Sequence, residues 1–66
     1  MANCFVVEGV EEGGRTLLAD FDNSGEARRF LNRYTSNGDA GGWDLIEVYD
    51  TRGESAERLF FWEREQ

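Results

Sequence analysis

The fold depends on the stretch from Asn23 to Gly38, which reads NSGEARRFLNRYTSNG. Its apolar side chains recur at i, i+3, i+4 and i+7, a spacing that places them on one face of an α-helix: Ala27, Phe30, Leu31 and Tyr34. Asn23 can accept the first free backbone N–H groups, and Glu26 follows three residues later as in a capping box. At the other end, Asn37 and Gly38 tolerate the left-handed conformation. The stretch therefore predicts a helix with one buried face.

The segments on either side of this helix have the two-residue alternation of β-strands. Four strands are predicted: Asn3–Val10, Arg15–Asp22, Trp43–Asp50 and Glu57–Glu63. Glycine-containing polar turns join them at Glu11–Gly14 and Thr51–Ala56, and residues 36–42 form a flexible connection with no apolar anchor. We expect one α+β domain over residues 1–66, in the order ββαββ, with the helix packed across a mainly antiparallel four-stranded sheet.

Alternation also assigns side chains to the two faces of the sheet. It groups Phe5 with Val7 in the first strand, and it sets Leu59 and Phe61 opposite Phe60 and Trp62 in the last. The other groups are Leu17 with Ala19 and Phe21, and Trp43 with Leu45, Glu47 and Tyr49. Several strands are apolar on both faces, so one helix leaves an apolar set uncovered. Either that set forms a protein interface, including self-association, or the sheet curls so that loops cover it.

Composition excludes several kinds of chemistry. There is no histidine and a single cysteine, Cys4, so a paired-cysteine or histidine zinc site and the His-dependent nucleophilic triads cannot form. The run from Asp20 to Gly25 begins like a calcium loop, but Leu31 occupies the position that requires a glutamate. A chain of 66 residues offers little depth for a cleft that tunes two carboxylates. We expect no enzyme activity, no metal and no cofactor.

Charge is the strongest compositional feature. The chain contains fourteen Asp and Glu residues and seven Arg, which gives a net charge of −7. Nucleic acid is a poor partner for such a chain, whereas basic proteins are natural ones. Acidity that serves only solubility is the alternative. No long apolar run marks the amino terminus, so we expect a cytoplasmic protein that binds no membrane.

The positive charge is concentrated on the outer side of the helix. Arg28, Arg29 and Arg33 lie there, whereas strands, turns and tail carry most of the acid. These arginines form either a solvated face or an anion-binding one. Opposite sides of the domain should therefore differ in sign. A surface of carboxylates with aromatic residues between them could imitate the regular negative charge of DNA. The candidate partner-binding residues are Glu8, Glu11, Glu12, Asp44, Glu47, Asp50, Glu54, Phe60 and Trp62.

In size, acidity and helix-across-a-sheet plan, the chain resembles the small acidic phage-encoded anti-CRISPR proteins. The resemblance covers the whole chain but rests on no shared motif. It implies a non-enzymatic inhibitor whose DNA-mimicking surface blocks the DNA-binding site of a bacterial CRISPR effector complex, in the host cytoplasm. The alternative function is a small acidic interaction or antitoxin-like module that oligomerises, for example as a homodimer, through an apolar sheet face.

Overall fold

The fold is described from a computed structural model, in which residues 4–64 are defined. The elements follow in the order β1 (Phe5–Glu11), β2 (Gly14–Phe21), α1 (Ser24–Ser36), β3 (Leu45–Asp50) and β4 (Glu57–Glu63), with one turn of 3-10 helix at Asp39–Gly42. The predicted ββαββ order and α+β class are confirmed. Asn3, the predicted start of the first strand, lies outside the described residues.

The four strands form one antiparallel sheet in the order β2-β1-β3-β4. Each hairpin contributes one inner strand, so β1 and β3 pair in the centre and β2 and β4 lie at the edges. Helix α1 packs across one face, and the buried apolar side chains lie between that face and the helix with its following turn: Phe5, Val7, Ala27, Leu31, Ala40, Ile46 and Val48. Because there is no second helix, the other sheet face has no covering layer among residues 4–64.

Asn23 and Gly38 take the positions at the two ends of α1 that the sequence predicts. The side chain of Asn23 accepts a hydrogen bond from the backbone N–H of Glu26 at 2.8 Å, which satisfies one of the donors left free at a helix start. At the carboxyl end, Gly38 adopts φ +83, the left-handed conformation that residues without a Cβ adopt at little cost. Ala27 and Leu31 are buried on the apolar face, and the ring of Phe30 contacts those of Phe21 and Tyr34.

Both edge strands contain an extra residue that breaks the alternation. In the β1–β2 pair, a shift in register between Val7 and Glu8 leaves Leu18 of β2 without a residue opposite it. In the β3–β4 pair, a second shift beside Val48 leaves Leu59 of β4 without one. Such β-bulges reverse the facing of every residue beyond them. Leu18 and Leu59 pack against the core, whereas Leu17 lies on the opposite face from Ala19. The predicted grouping of Leu17 with Ala19 and Phe21, and of Leu59 with Phe61, is therefore wrong.

Trp43 also departs from the predicted pattern, because β3 begins only at Leu45. The indole packs against the core, directly over Gly9 of β1, and its Nε1–H donates to the Tyr34 hydroxyl at 3.1 Å. Trp43 therefore lies on the helix side of the sheet and not with Leu45. The segment after α1 was predicted to have no apolar anchor, but Ala40 is buried there.

Gly9 is the position at which this packing is most sensitive. A Cβ built on Gly9 would lie 2.5 to 2.8 Å from three ring atoms of Trp43. We expect Gly9→Ala to lower the free energy of unfolding by about 1–3 kcal/mol, since the indole must move away from the sheet and from Tyr34. Urea unfolding followed by circular dichroism measures this loss. Gly41→Ala is the control, because a Cβ there meets nothing within 4 Å; equal stability of the two variants would contradict the prediction.

Candidate functional site

The sheet face opposite α1 is the candidate site, and its membership follows from the strand register. Residues directly opposite one another in a sheet point to the same side. The pairings therefore define three rows across the four strands, which together we call the open face: Asp20, Val6, Tyr49 and Arg58; Leu17, Glu8, Glu47 and Phe61; Arg15, Val10, Leu45 and Glu63.

A buried carboxylate occupies the centre of the open face. Glu47 on β3 is only 3% exposed although no element covers it. Its Oε1 accepts a hydrogen bond from Arg15 Nη1 on β2 at 2.7 Å, and its Oε2 accepts one from Arg58 Nη1 on β4 at 3.1 Å. Arg15 Nη1 also lies 3.4 Å from Glu8 Oε1 on β1. Side chains from all four strands thus meet around one carboxylate.

The environment of Glu47 keeps it ionised. Burial alone would raise its pKa, but hydrogen bonds from Arg15, Tyr49 and Arg58 outweigh that effect and lower the pKa below its ordinary value. A buried charge is tolerated only when both oxygens are satisfied, and here each oxygen has its own guanidinium donor. Within residues 4–64, every buried side-chain nitrogen or oxygen has a hydrogen-bond partner. The centre is therefore a closed ion-paired group rather than a reactive carboxylate.

Exposed apolar side chains lie on either side of this group. Leu17 on β2 is 57% exposed and Phe61 on β4 is 55% exposed. The guanidinium of Arg58 lies 4.6 Å from the centre of the Phe61 ring, within cation–π distance. Val6, Val10, Leu45 and Tyr49 are half-buried between the strands. The face offers an apolar surface with an ion-paired polar centre.

Four of the seven carboxylates predicted for partner binding form ion pairs with arginine. Besides Glu8 and Glu47, Asp50 lies 2.9 Å from Arg52 and Asp44 lies 3.7 Å from Arg64. Hydrogen bonds from the guanidinium and from the backbone N–H of Arg52 also lower the pKa of Asp50. The other three predicted carboxylates are exposed and, among the described residues, have no arginine within 4 Å: Glu11, Glu12 and Glu54.

These pairs change the expected distribution of charge. Arg15, Arg52, Arg58 and Arg64 all lie in strands or their flanking turns, within reach of carboxylates. On the sheet side, acids and arginines are therefore interleaved, and the clean separation expected between an acidic sheet and a basic helix is wrong. What remains is an excess of exposed carboxylate at the margins of the sheet.

The two predicted aromatic contacts, Phe60 and Trp62, lie on the helix side. Both pack against the core, and the guanidinium of Arg28 lies 5.3 Å from the centre of the Phe60 ring. Their place on the open face is taken by Phe61, because the bulge at Leu59 reverses the facing of β4. Sequence reasoning also missed Arg15 and Arg58. The only signal was the run of adjacent apolar residues in each edge strand, which alternation cannot accommodate.

Other kinds of site find little support within residues 4–64. No three cysteine or acidic side chains there converge as a metal site would require. A shallow groove of about 350 Å³ beside α1 is lined by Phe21, Glu26, Arg29, Phe30 and Arg33, and it is open to solvent. No helix there has the length and apolar character needed to cross a membrane. No family model, curated protein or solved structure matches this chain.

The arrangement around Glu47 predicts a pH-dependent contribution to stability. Because its pKa is lower in the folded than in the unfolded chain, the unfolded chain binds more protons in acid. The contribution is therefore complete above the ordinary glutamate pKa of about 4.3 and is lost as the pH falls through the lower folded value. We expect Glu47→Gln to reduce the free energy of unfolding by about 1–3 kcal/mol at pH 7. That deficit should shrink towards pH 2.

Urea unfolding at pH 7, 5 and 3 tests this expectation. Glu54→Gln is the matched control, because Glu54 is exposed, and its effect should stay within about 0.5 kcal/mol at every pH. A deficit in Glu47→Gln that is constant with pH would mean that the carboxylate contributes by packing and not by charge.

Proposed function

We propose that this chain is a non-enzymatic protein-binding domain that docks on a protein partner through its open face. The observation that carries the proposal is the exposure of Leu17 and Phe61. Among the described residues, these two large apolar side chains have more than half of their surface exposed to solvent. They lie in the same row of the open face. Apolar side chains held in water on an uncovered sheet are typical of an interaction surface.

The residue types around them support the same function. Binding energy in protein interfaces concentrates in aromatic residues and arginine, and the open face presents Phe61, Tyr49, Arg15 and Arg58. Both arginines are already held by Glu47, and Arg58 is also held against Phe61. Because these side chains are ordered before binding, docking would cost less conformational entropy than it would with free arginines.

Removing the two exposed apolar side chains tests this function. We expect the double variant Leu17→Ser, Phe61→Ser to capture at least tenfold less partner protein from bacterial lysate than the wild-type chain. Its stability should change only modestly, because both side chains are already largely in water. Capture is quantified by mass spectrometry against the wild-type chain. The control is Asn32→Ser, Arg33→Ser on the exposed side of α1, which should capture the same proteins. Undiminished capture by the first variant would contradict the proposal.

A second candidate function is an anti-CRISPR-like inhibitor that occupies the DNA-binding site of a bacterial CRISPR effector complex. It is favoured by the exposed carboxylates of Glu11, Glu12 and Glu54 in a chain of net charge −7. These groups would pair with arginines and lysines of the DNA-binding groove, while the chain itself binds no nucleic acid. Glu47 takes no part, since it is buried and already paired.

The inhibitor predicts competition with DNA that is sensitive to salt. We expect the wild-type chain to displace target DNA from a purified effector complex, and the triple variant Glu11→Gln, Glu12→Gln, Glu54→Gln to do so at least tenfold more weakly. Asp39→Asn is the control, because Asp39 is an exposed acid at the start of the 3-10 turn. Gel-shift titrations at 0.1 and 0.5 M salt measure both effects. Equal displacement by the triple variant and the wild-type chain would exclude charge mimicry.

A further inference from the structure

The four corners of the open face alternate in charge. The row at one end of the face runs from Asp20 on β2 to Arg58 on β4, and the row at the other end runs from Arg15 on β2 to Glu63 on β4. Each end therefore carries one acid and one arginine, and their order is reversed between the two ends. All four residues are exposed. The corner charges are thus available to a molecule that docks on the face.

A second copy of the chain matches this pattern with opposite charges. Two sheets that pack face to face lie about 10 Å apart with their strands within about 30° of each other, and the axis of a two-fold dimer then runs between them. When that axis lies along the strands, β2 of each copy is opposite β4 of the other. Asp20 is then opposite Arg58 of the second copy, and Arg15 is opposite its Glu63.

The apolar side chains pair favourably in the same arrangement. Leu17 of each copy is opposite Phe61 of the other. Two further pairs form between the inner strands: Val6 with Tyr49, and Val10 with Leu45. Each smaller side chain faces a larger one, so the space between the sheets is filled evenly. With the axis across the strands, Phe61 would face Phe61 and Leu17 would face Leu17, which fills one side of the interface more than the other.

The ion-paired centre is compatible with this contact. Glu8 is opposite Glu47 of the second copy, but that carboxylate is accompanied by the guanidinium groups of Arg15 and Arg58. About half of each arginine side chain remains exposed, and a guanidinium has five N–H donors. Each arginine can therefore bind a carboxylate of the second copy while it keeps Glu47.

The area of the face determines how strong such a dimer can be. Four strands about 4.8 Å apart, with three alternate residues each on one side, present roughly 400 Å². A standard interface buries about 800 Å² on each partner, so this face supports a weak dimer. Repulsion between two chains of net charge −7 opposes it further. At 0.15 M salt, that repulsion is screened beyond about 8 Å, whereas contacts inside the interface are screened less.

We infer that the open face is the interface of a weak, two-fold symmetric homodimer, in which the two sheets pack face to face and the helices lie outside. This inference rests on the proposed function and names a second copy of the chain as the protein partner. The dimer covers Leu17 and Phe61, and it places a charge of opposite sign at each corner of the face.

Sedimentation measures the dimer and its dependence on the apolar pair. In 0.15 M salt, the average mass should rise from monomer towards dimer between about 0.01 and 1 mM chain. Leu17→Ser, Phe61→Ser should weaken dimerisation at least tenfold. Asn32→Ser on the exposed side of α1 is the control and should dimerise like the wild-type chain. A wild-type chain that is still monomeric at about 1 mM would overturn the inference.

Charge reversals separate the corner pairs from net charge. Asp20→Arg, Glu63→Arg changes two corners of the face, whereas Asp39→Arg, Glu57→Arg changes two exposed acids on the helix side. Each reversal adds two positive charges, so both double variants change the net charge from −7 to −3. The first should dimerise at least fivefold more weakly than the wild-type chain, and the second at least as tightly.

These variants also show how the corner pairs could fail. If net charge alone governed association, both double variants would dimerise more tightly, which would overturn the corner pairs. Asp20→Asn, Glu63→Gln removes the same charges without introducing repulsion, and it should give an intermediate affinity. Circular dichroism establishes that each variant is folded. Wild-type affinity in the folded Asn/Gln variant would also overturn the corner pairs.

A nuclear Overhauser effect tests the orientation of the two copies. Within one copy, Leu17 and Phe61 lie on opposite edge strands, three strand spacings or roughly 14 Å apart. A signal between the Leu17 methyl groups and the Phe61 ring therefore comes from the second copy. An equal mixture of ¹³C-labelled and unlabelled chains should show it with isotope filtering. A dimer without this signal would overturn the arrangement with the axis along the strands.

Failure of the inference differs from failure of the proposed function. At about 1 µM, the chain is monomeric, so its open face is accessible in the lysate experiment and the two measurements are independent. A monomer at millimolar concentration, together with capture that depends on Leu17 and Phe61, contradicts only the second copy. A dimer and a lysate capture that are both unaffected by Leu17→Ser, Phe61→Ser contradict the open face itself as a docking surface.

Discussion

A single helix can cover only one face of a four-stranded sheet, and the rest of this structure depends on how the second face is stabilised in water. The solution is the carboxylate of Glu47 between Arg15 and Arg58. The two arginines come from opposite edges of the sheet, and their guanidinium groups meet at the carboxylate of Glu47 on the inner strand β3. The same group therefore links both edge strands to β3 and places a paired charge at the centre of the open face.

The local part of this structure could be predicted from the sequence. Interactions between residues close in the chain determine the helix, its Asn23 cap, the left-handed Gly38 and the bounds of β4. Sequence periodicity and residue type are enough to predict such local features. The same holds for the ββαββ order, because short glycine-containing turns restrict which strands can pair. The structure extends this prediction with the order β2-β1-β3-β4.

The functional face could not be predicted in the same way. One bulge in each edge strand reverses which residues face outward, and adjacent apolar residues such as Leu17 and Leu18 are compatible with either facing. The ion pairs join residues that are distant in the chain: 32 positions separate Arg15 from Glu47, and 11 separate Glu47 from Arg58. Charge counted by segment therefore missed the neutralisation at the centre and overstated the acidic surface.

The bulges at Leu18 and Leu59 have one more consequence, because they fall on the two strands whose outer edges are unpaired within residues 4–64. An exposed edge is a template on which a strand from another molecule can extend the sheet. The extra residue interrupts the regular spacing of N–H and C=O groups midway along each edge, so an incoming strand could match only half of it at a time. The two bulges, which kept simple alternation from predicting the open face, thus also hinder growth of the sheet into fibrils.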